Sequence, residues 1–262
     1  MSHSPTPPRA FTILCLFAHP DDETFGPGAT LARLAAEGHG VHLLTATRGE
    51  AGTIGASASH GRRRLAALRE REMEAAARAL GLRGREQLVL PDGGLSRLQP
   101  DTLLRPFVRA IRSLRPEVLI TFHASGISGH PDHRTVTAMA LEAFDRAAEA
   151  GCAPDLGPPH AASRLWTYSM AASAAERITW RHIHSVPDQE LDALLEVSAF
   201  IPAKRAAVAA HASQAFFVHD MERRLGDLTA MWSAEAFVLS AARVPLPPGT
   251  PRPVDDLFLG MV

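Results

Sequence analysis

The chain has 262 residues, and 27 Lys and Arg against 28 Asp and Glu leave a formal net charge of −1. With 46% hydrophobic and 21% charged residues, it holds enough apolar material for a large core and lacks the basic excess of a nucleic-acid binder. Two cysteines, Cys15 and Cys152, exclude a disulfide framework or a cysteine-built zinc site, whereas thirteen histidines exceed what packing alone requires.

In chain order, residues 1–10 are rich in Pro and Ser and read as a loose arm. Phe11 to Phe17 is a nearly unbroken apolar run, the pattern of a strand buried on both faces. Gly28 to Glu37 has helical spacing and stops at Gly38; Val41 to Ala46 reads as a second strand. A glycine-rich loop, Thr47 to Gly61, leads to a long helix from Arg62 to Leu80, halted by Gly81. Gln87 to Leu90 is a short third strand before the turn Pro91-Asp92-Gly93-Gly94. Thr102 to Leu114 is helical, Val118 to Phe122 a fourth strand, and the polar loop His123 to Asp132 opens a helix from His133 to Ala150.

Further on, Arg164 to Met170 and Ile178 to His184 are candidate strands, and Asp188 to Ser198 and Pro202 to Leu225 have helical patterns. The proline-rich stretch within 245–262 reads as an extended surface tail. Alternating strands and helices with right-handed crossovers predict an α/β, Rossmann-like doubly wound, mostly parallel sheet with helices on both faces. No linker or repeat divides residues 1–262, so one domain is expected. The apolar run ending at Ala18 meets His19-Pro20-Asp21-Asp22-Glu23 instead of a cleavage site, and no run approaches the ~20 apolar residues of a membrane span. The expectation is a cytoplasmic protein with no transmembrane segment.

Two polar clusters each follow a buried strand: His19-Pro20-Asp21-Asp22-Glu23 after the first and Gly129-His130-Pro131-Asp132-His133 after the fourth. In the strand order 3-2-1-4 these two strands flank the crevice where open α/β sheets bind ligands, so segments far apart in sequence meet at one place. Two imidazoles and a carboxylate with one open position make a catalytic metal site. His19 and Asp22 supply two ligands from one tight turn, and His133 supplies the third. Asp21 is then an unbound carboxylate suited to be a general base, and His130 a protonated partner for a developing oxyanion. Asp21 or Asp22 can instead cap the helix that follows, and Asp132 either caps the helix at His133 or steadies a ligand histidine by a hydrogen bond.

The run AHPDDETFGPGATLARLAAEGHGVHLLTATRGEAG, with GHPDH later, resembles the LmbE-like (PIG-L) family of zinc-dependent N-acetylglucosamine deacetylases over about residues 11–150. Deacetylases of N-acetylglucosaminyl-phosphatidylinositol and of mycothiol and bacillithiol precursors belong to it. The resemblance implies one Zn2+ per chain (Fe2+ or another divalent metal being the substitutes) on His19, Asp22 and His133, with Asp21 as base and His130 as oxyanion or proton partner. It further implies substrate contacts from Arg69, in Leu68-Arg69-Glu70-Arg71-Glu72, and from Asp92 to a sugar hydroxyl. The stretch Lys204 to Gln214 is similar to a late helix of the family, from which His211 either approaches the site or serves as a structural histidine. Where some members carry a Tyr just before GHPDH, this chain has Ser128. The implied partner is a small N-acetylglucosamine conjugate, with no nucleic acid; a homo-oligomer is left open.

The expected function is therefore metal-dependent removal of an N-acetyl group. Two rivals share the donor set or the fold: an iron oxygenase built on a facial triad, and a non-catalytic metal-containing sugar-binding or regulatory protein. The free Asp21 argues against both. A nucleotide-binding site is excluded because the turn after the first strand holds carboxylates where phosphate would sit, with no G-x-G-x-x-G. Arg62-Arg63-Arg64 reads as a solvated helix start, and Glu50 as a weak candidate near the crevice.

Overall fold

A computed structural model describes residues 9–52 and 61–262, so the expected arm and part of the loop from Thr47 to Gly61 lie outside the described residues. The strands are β1 (Thr12–Phe17), β2 (Gly40–Thr47), β3 (Gly84–Leu90), β4 (Val118–Phe122), β5 (Arg164–Ser169), β6 (Ala193–Glu196) and β7 (Ala234–Ala242). The helices are α1 (Asp22–Phe25), α2 (Gly28–Ala36), α3 (Arg62–Ala79), α4 (Asp101–Leu114), α5 (Pro131–Ala148), α6 (Ala172–Ala175), α7 (Ile201–Ala210), α8 (Phe216–Leu225) and α9 (Thr229–Trp232). None of them is long and apolar enough to cross a membrane.

All seven strands form one sheet in the order β3-β2-β1-β4-β5-β7-β6. The first five are parallel, and β7 runs antiparallel to both β5 and β6. The chain moves outward from β1 through β2 to β3, then returns to β4 on the other side. Right-handed crossovers therefore place α2 and α3 on one face and α4 and α5 on the other. α4 packs on α5, while α2 and α3 pack on α7. The core sits against β1, where Ile13 to Phe17 are fully buried, as a two-sided apolar run requires. The α/β doubly wound sheet and its 3-2-1-4 order are as the sequence pattern implies.

The C-terminal third departs from expectation. Ile178 to His184 is not a strand: β7 occupies the place beside β5, and Ile183 is turned into a cavity instead. Asp188 to Ser198 is not a helix but contains β6. There Ala193 and Leu195 are buried in alternation, and the Asp192 carboxylate accepts the Leu239 N–H (2.8 Å), tying the segment to β7. A short apolar run of this kind fits both periods, and the tertiary bond decides it. The single helix expected from Pro202 to Leu225 breaks between α7 and α8. Glu23 takes the His211 side chain, and Glu72 takes both the N–H and the hydroxyl of Ser213 (2.8 and 2.6 Å). The expected surface tail is packed: Val254, Leu257 and Phe258 are buried, and the Arg164 guanidinium donates to the carbonyls of Val244, Pro245, Leu257 and Leu259.

Candidate metal centre

Because β1 to β5 are parallel, their carboxyl ends share one edge of the sheet, and the loops leaving them converge there. The turn after β1 is held tightly. Asp21 has φ 111°, a left-handed conformation that costs a non-glycine residue about 1–3 kcal/mol. Its N–H donates to Glu23 Oε2 (3.1 Å), and its carbonyl accepts the Thr24 and Phe25 N–H groups (3.0 and 2.8 Å). Asp22 Oδ2 accepts the N–H groups of Ala18 and His19 (3.1 and 2.7 Å), which fixes that carboxylate.

Three side chains from these loops meet. His133 Nε2 lies 3.2 Å from Asp22 Oδ1 and 3.3 Å from His19 Nδ1, and His19 Nδ1 lies 3.5 Å from Asp22 Oδ2. His133 Nδ1 faces the Gly126 carbonyl at 3.2 Å, so that nitrogen carries the proton and Nε2 keeps a lone pair. His19 Nε2 faces Asp92 Oδ1 (3.1 Å) and Asp132 Oδ2 (3.3 Å), so Nε2 carries a proton and Nδ1 is the nitrogen turned toward Asp22 and His133. Two imidazole nitrogens and a carboxylate thus face one another. Zinc bonds of about 2.0–2.2 Å set tetrahedral ligand–ligand edges of about 3.3–3.6 Å, and the three distances are of that size, with His133 meeting Asp22 Oδ1 and His19 meeting Oδ2. This donor set suits a divalent metal, and His19 also belongs to two further groups whose ligand atoms lie within 4.8 Å of one another, with His130 and His133 and with Asp92 and Asp132.

The surrounding field is negative. Burial works against a charged His19, but bonds to Asp132, Asp22 and Asp92 outweigh it and raise its pKa well above the usual value. Burial likewise opposes ionisation of Asp22, yet His133 and His19 hold it well below the carboxylate range. Asp132, fully buried, also accepts the N–H groups of Gly93 and Leu95 (2.8 and 3.1 Å).

Asp21 stands beside this group and lines the same cavity. Burial pushes its carboxyl up to about 7, against the pull of Arg69, whose Nη2 is 3.0 Å away. Arg69 is itself buried and donates to the carbonyls of Gly49 and Pro20. A Cβ on Gly49, which has φ +66°, would lie 2.4 Å from that guanidinium, so the glycine makes room for it. The ring of His130 is centred 4.8 Å from His19 and 4.9 Å from His133.

Several expectations change on this geometry. The cap of α5 is His130, whose Nδ1 accepts the Asp132 N–H (3.1 Å); Asp132 is not a cap but backs His19. Burial, then the neighbouring His19 and His133, lower the His130 pKa, which works against the protonated form expected, and its Nδ1, accepting the Asp132 N–H, leaves Nε2 to carry a proton. Asp21, though at the N-cap of α1, makes no side-chain cap bond. Arg69 borders the cavity, but two of its nitrogens are spent on Asp21 and on backbone carbonyls. Both Asp92 oxygens are engaged, by His19 and by the Ala51 N–H (2.7 Å). Glu50 accepts the Asp92 N–H (3.0 Å). His211 is fully buried and paired with Glu23 at 2.6 Å, the structural alternative for that residue.

Residues not singled out in the sequence also shape the site. Phe122, the last residue of β4, stacks on His133 at 4.1 Å. Glu23 holds the strained Asp21 backbone; its place inside the HPDDE run was the available signal. The cavity beside the donors holds about 990 Å³, and Ser128, Tyr168 and Trp232 are among its lining residues.

Comparison with known proteins bears on family and fold. The profile of the PIG-L family, GlcNAc-PI de-N-acetylase, matches residues 14–144. A Rhodococcus jostii protein named 1D-myo-inositol 2-acetamido-2-deoxy-alpha-D-glucopyranoside deacetylase is 35% identical, over 77% of this chain and 81% of its own length. A conserved protein of Thermus thermophilus, at 30% identity, superposes with a TM-score of 0.68 over 92% of this chain and all of its own. The 4-carboxy-2-hydroxymuconate hydratase of Pseudomonas putida, at 22% identity, has a TM-score of 0.68 over 90% of this chain and 98% of its own. That last likeness shows the fold alone, and one fold serving a second reaction leaves the chemistry to be argued from the site.

Proposed function

The chain belongs to the PIG-L, GlcNAc-PI de-N-acetylase, family, and from that membership we propose a zinc-dependent amide hydrolase that removes the acetyl group from an N-acetylglucosamine conjugate. N-deacetylation by a metal-dependent hydrolase is the activity of the family; the choice of zinc and the roles of individual residues are our reading. The observation that carries it is the convergence of His19 Nδ1, His133 Nε2 and the Asp22 carboxylate beside a buried, unligated Asp21. A protein that only bound sugar would have no use for that last carboxylate.

His19, Asp22 and His133 would hold the ion. When bound, it supplies Lewis acidity, polarising an amide carbonyl and making water a nucleophile near neutral pH. Asp21 takes a proton from the attacking water, and Arg69 keeps its carboxylate oriented. The neutral His130 donates its Nε2–H to the carbonyl oxygen as negative charge grows there. A neutral donor suits a place beside a cation better than an imidazolium would. Asp21 then returns its proton to the departing amine. Asp132 and Asp92 keep the His19 proton on Nε2, so that Nδ1 faces the ion.

The test is acetate release from N-acetylglucosamine conjugates by zinc-loaded protein, with metal content measured on the same sample. Wild type should bind one ion and release acetate, and His133→Ala should lose both. Full activity in His133→Ala, or activity indifferent to chelation and zinc reloading, would refute the assignment.

A further inference from the structure

The cavity that opens from the metal donors is much larger than an acetamido sugar; Arg177, Arg181 and Asp188 are among its polar lining residues, but the part built by α8 and α9 is apolar. At about 990 Å³ it lies at the top of the range of about 300–1,000 Å³ for pockets that hold drug-sized ligands. The donors occupy one end. Beyond them the wall is built by Phe25, Tyr168, Phe217, Met221, Met231 and Trp232. Four of these come from α8 and α9, whose apolar faces pack around Leu228 and Trp232. Phe217 is 44% exposed and lines the same cavity.

An inositol ring brings a hydroxyl on nearly every carbon, and setting those hydroxyls against Phe, Met and Trp leaves them without partners. An alkyl or aromatic group gains from the same wall by leaving water. Met and aromatic side chains are also the usual lining for apolar ligands of variable shape.

We infer that this enzyme acts on N-acetylglucosaminides whose aglycone is apolar, and that the wall of α8 and α9 is its aglycone subsite. The inference rests on the deacetylase reading for the reaction and on the cavity for the specificity. The sugar lies toward His19 and Asp21, and the apolar group extends toward Phe217 and Trp232. The relative from Rhodococcus jostii is named for an inositol glycoside, so this chain would share its chemistry and differ in its aglycone.

The experiment compares the methyl, octyl and p-nitrophenyl N-acetylglucosaminides with the inositol glycoside on zinc-loaded protein. Acetate release and calorimetric binding are both read. Each methylene fully buried against the wall is worth about fourfold in affinity, so the octyl glycoside should exceed the methyl one by more than about a hundredfold in kcat/KM or in Kd. Its binding should carry the more negative heat-capacity change. Phe217→Ala, at a part-exposed position, should cut the octyl-to-methyl ratio about tenfold. Acetate release from all four at similar kcat/KM, or a preference for inositol, would overturn the inference and leave the deacetylase reading intact. Tight octyl binding with no acetate release from any conjugate would support the subsite and overturn the deacetylase reading.

Discussion

Residues 12–148 and residues 164–242 complete one sheet by different rules. In the first region every strand is parallel, each is followed by a helix, and every metal donor and acid–base group proposed above is found there. In the second, β7 runs against its neighbours, helices are short or broken, and no donor is contributed. The first region places charged groups in the loops and helix starts that follow its strands. The second places Phe, Met and Trp around a large cavity. On the reading proposed above, chemistry and selectivity are separable in this molecule: the parallel half would decide what bond breaks, and the antiparallel extension what is attached to it.

The sharpest way to break that division is Asp21→Ala. If the parallel half alone carries the reaction, this change should lower kcat/KM by ~10²–10⁴-fold with zinc content and aglycone preference unchanged. A loss below tenfold at full metal occupancy would take the base out of this half.

A second change tests the joint between the regions. Lys204 of α7 and Glu235 of β7 form a buried pair at 2.7 Å, and Glu235 also accepts the N–H groups of Ala29 and Thr30 at the start of α2. Lys204→Met leaves that carboxylate buried without its cation, which should cost about 3–5 kcal/mol in chemical denaturation. A change under about 1 kcal/mol would mean that Glu235 needs no cation beside its bonds to the start of α2.

Asp132→Ala is a smaller perturbation. It leaves all three donors in place but removes one of the carboxylates behind His19 Nε2. Zinc affinity should fall about 10–100-fold in competition with a chelator, with kcat recovered at saturating metal. Unchanged affinity would assign the tuning of His19 to Asp92 alone.

The same division governs what can be read before folding. In the parallel half, Phe11 to Phe17 and Val118 to Phe122 are apolar but for Thr12 and Thr121, and few structures other than two-sided strands bury such runs. The polar clusters after them then fall at the crevice by topology. In the extension, β7 has the sequence AEAFVLSAA, whose alanines favour no strand, and Leu191, Leu194 and Leu195 suit helix and strand alike. What settled those segments was long-range: Glu23 and Glu72 capturing His211 and Ser213, and Asp192 reaching Leu239. Within the site, the donors were legible because their residue types are uncommon at that spacing. The proton position on His130 was not, because it depends on which backbone N–H its ring accepts. Nor was the Arg69 contact with Asp21, which joins a helix to a turn nearly fifty residues before it.

Arg69→Met gives the finest test, because it changes when the parallel half works and not whether it works. Asp21 must be ionised to accept a proton. Burial raises its pKa to about 7, and Arg69 is the largest influence lowering it. Removing the guanidinium therefore raises the pKa further, so a smaller fraction of Asp21 is ionised at any pH below it. The acidic limb of kcat/KM against pH should move to higher pH, with the deficit largest in acid and shrinking as pH rises. A bound cation lowers the limb in both proteins and does not reverse the difference between them. If Arg69 instead contacted the substrate, as the family resemblance implies, the variant would lose kcat/KM by the same factor at every pH. A uniform loss with an unmoved limb would return Arg69 to the substrate, and a displaced limb assigns it to the base.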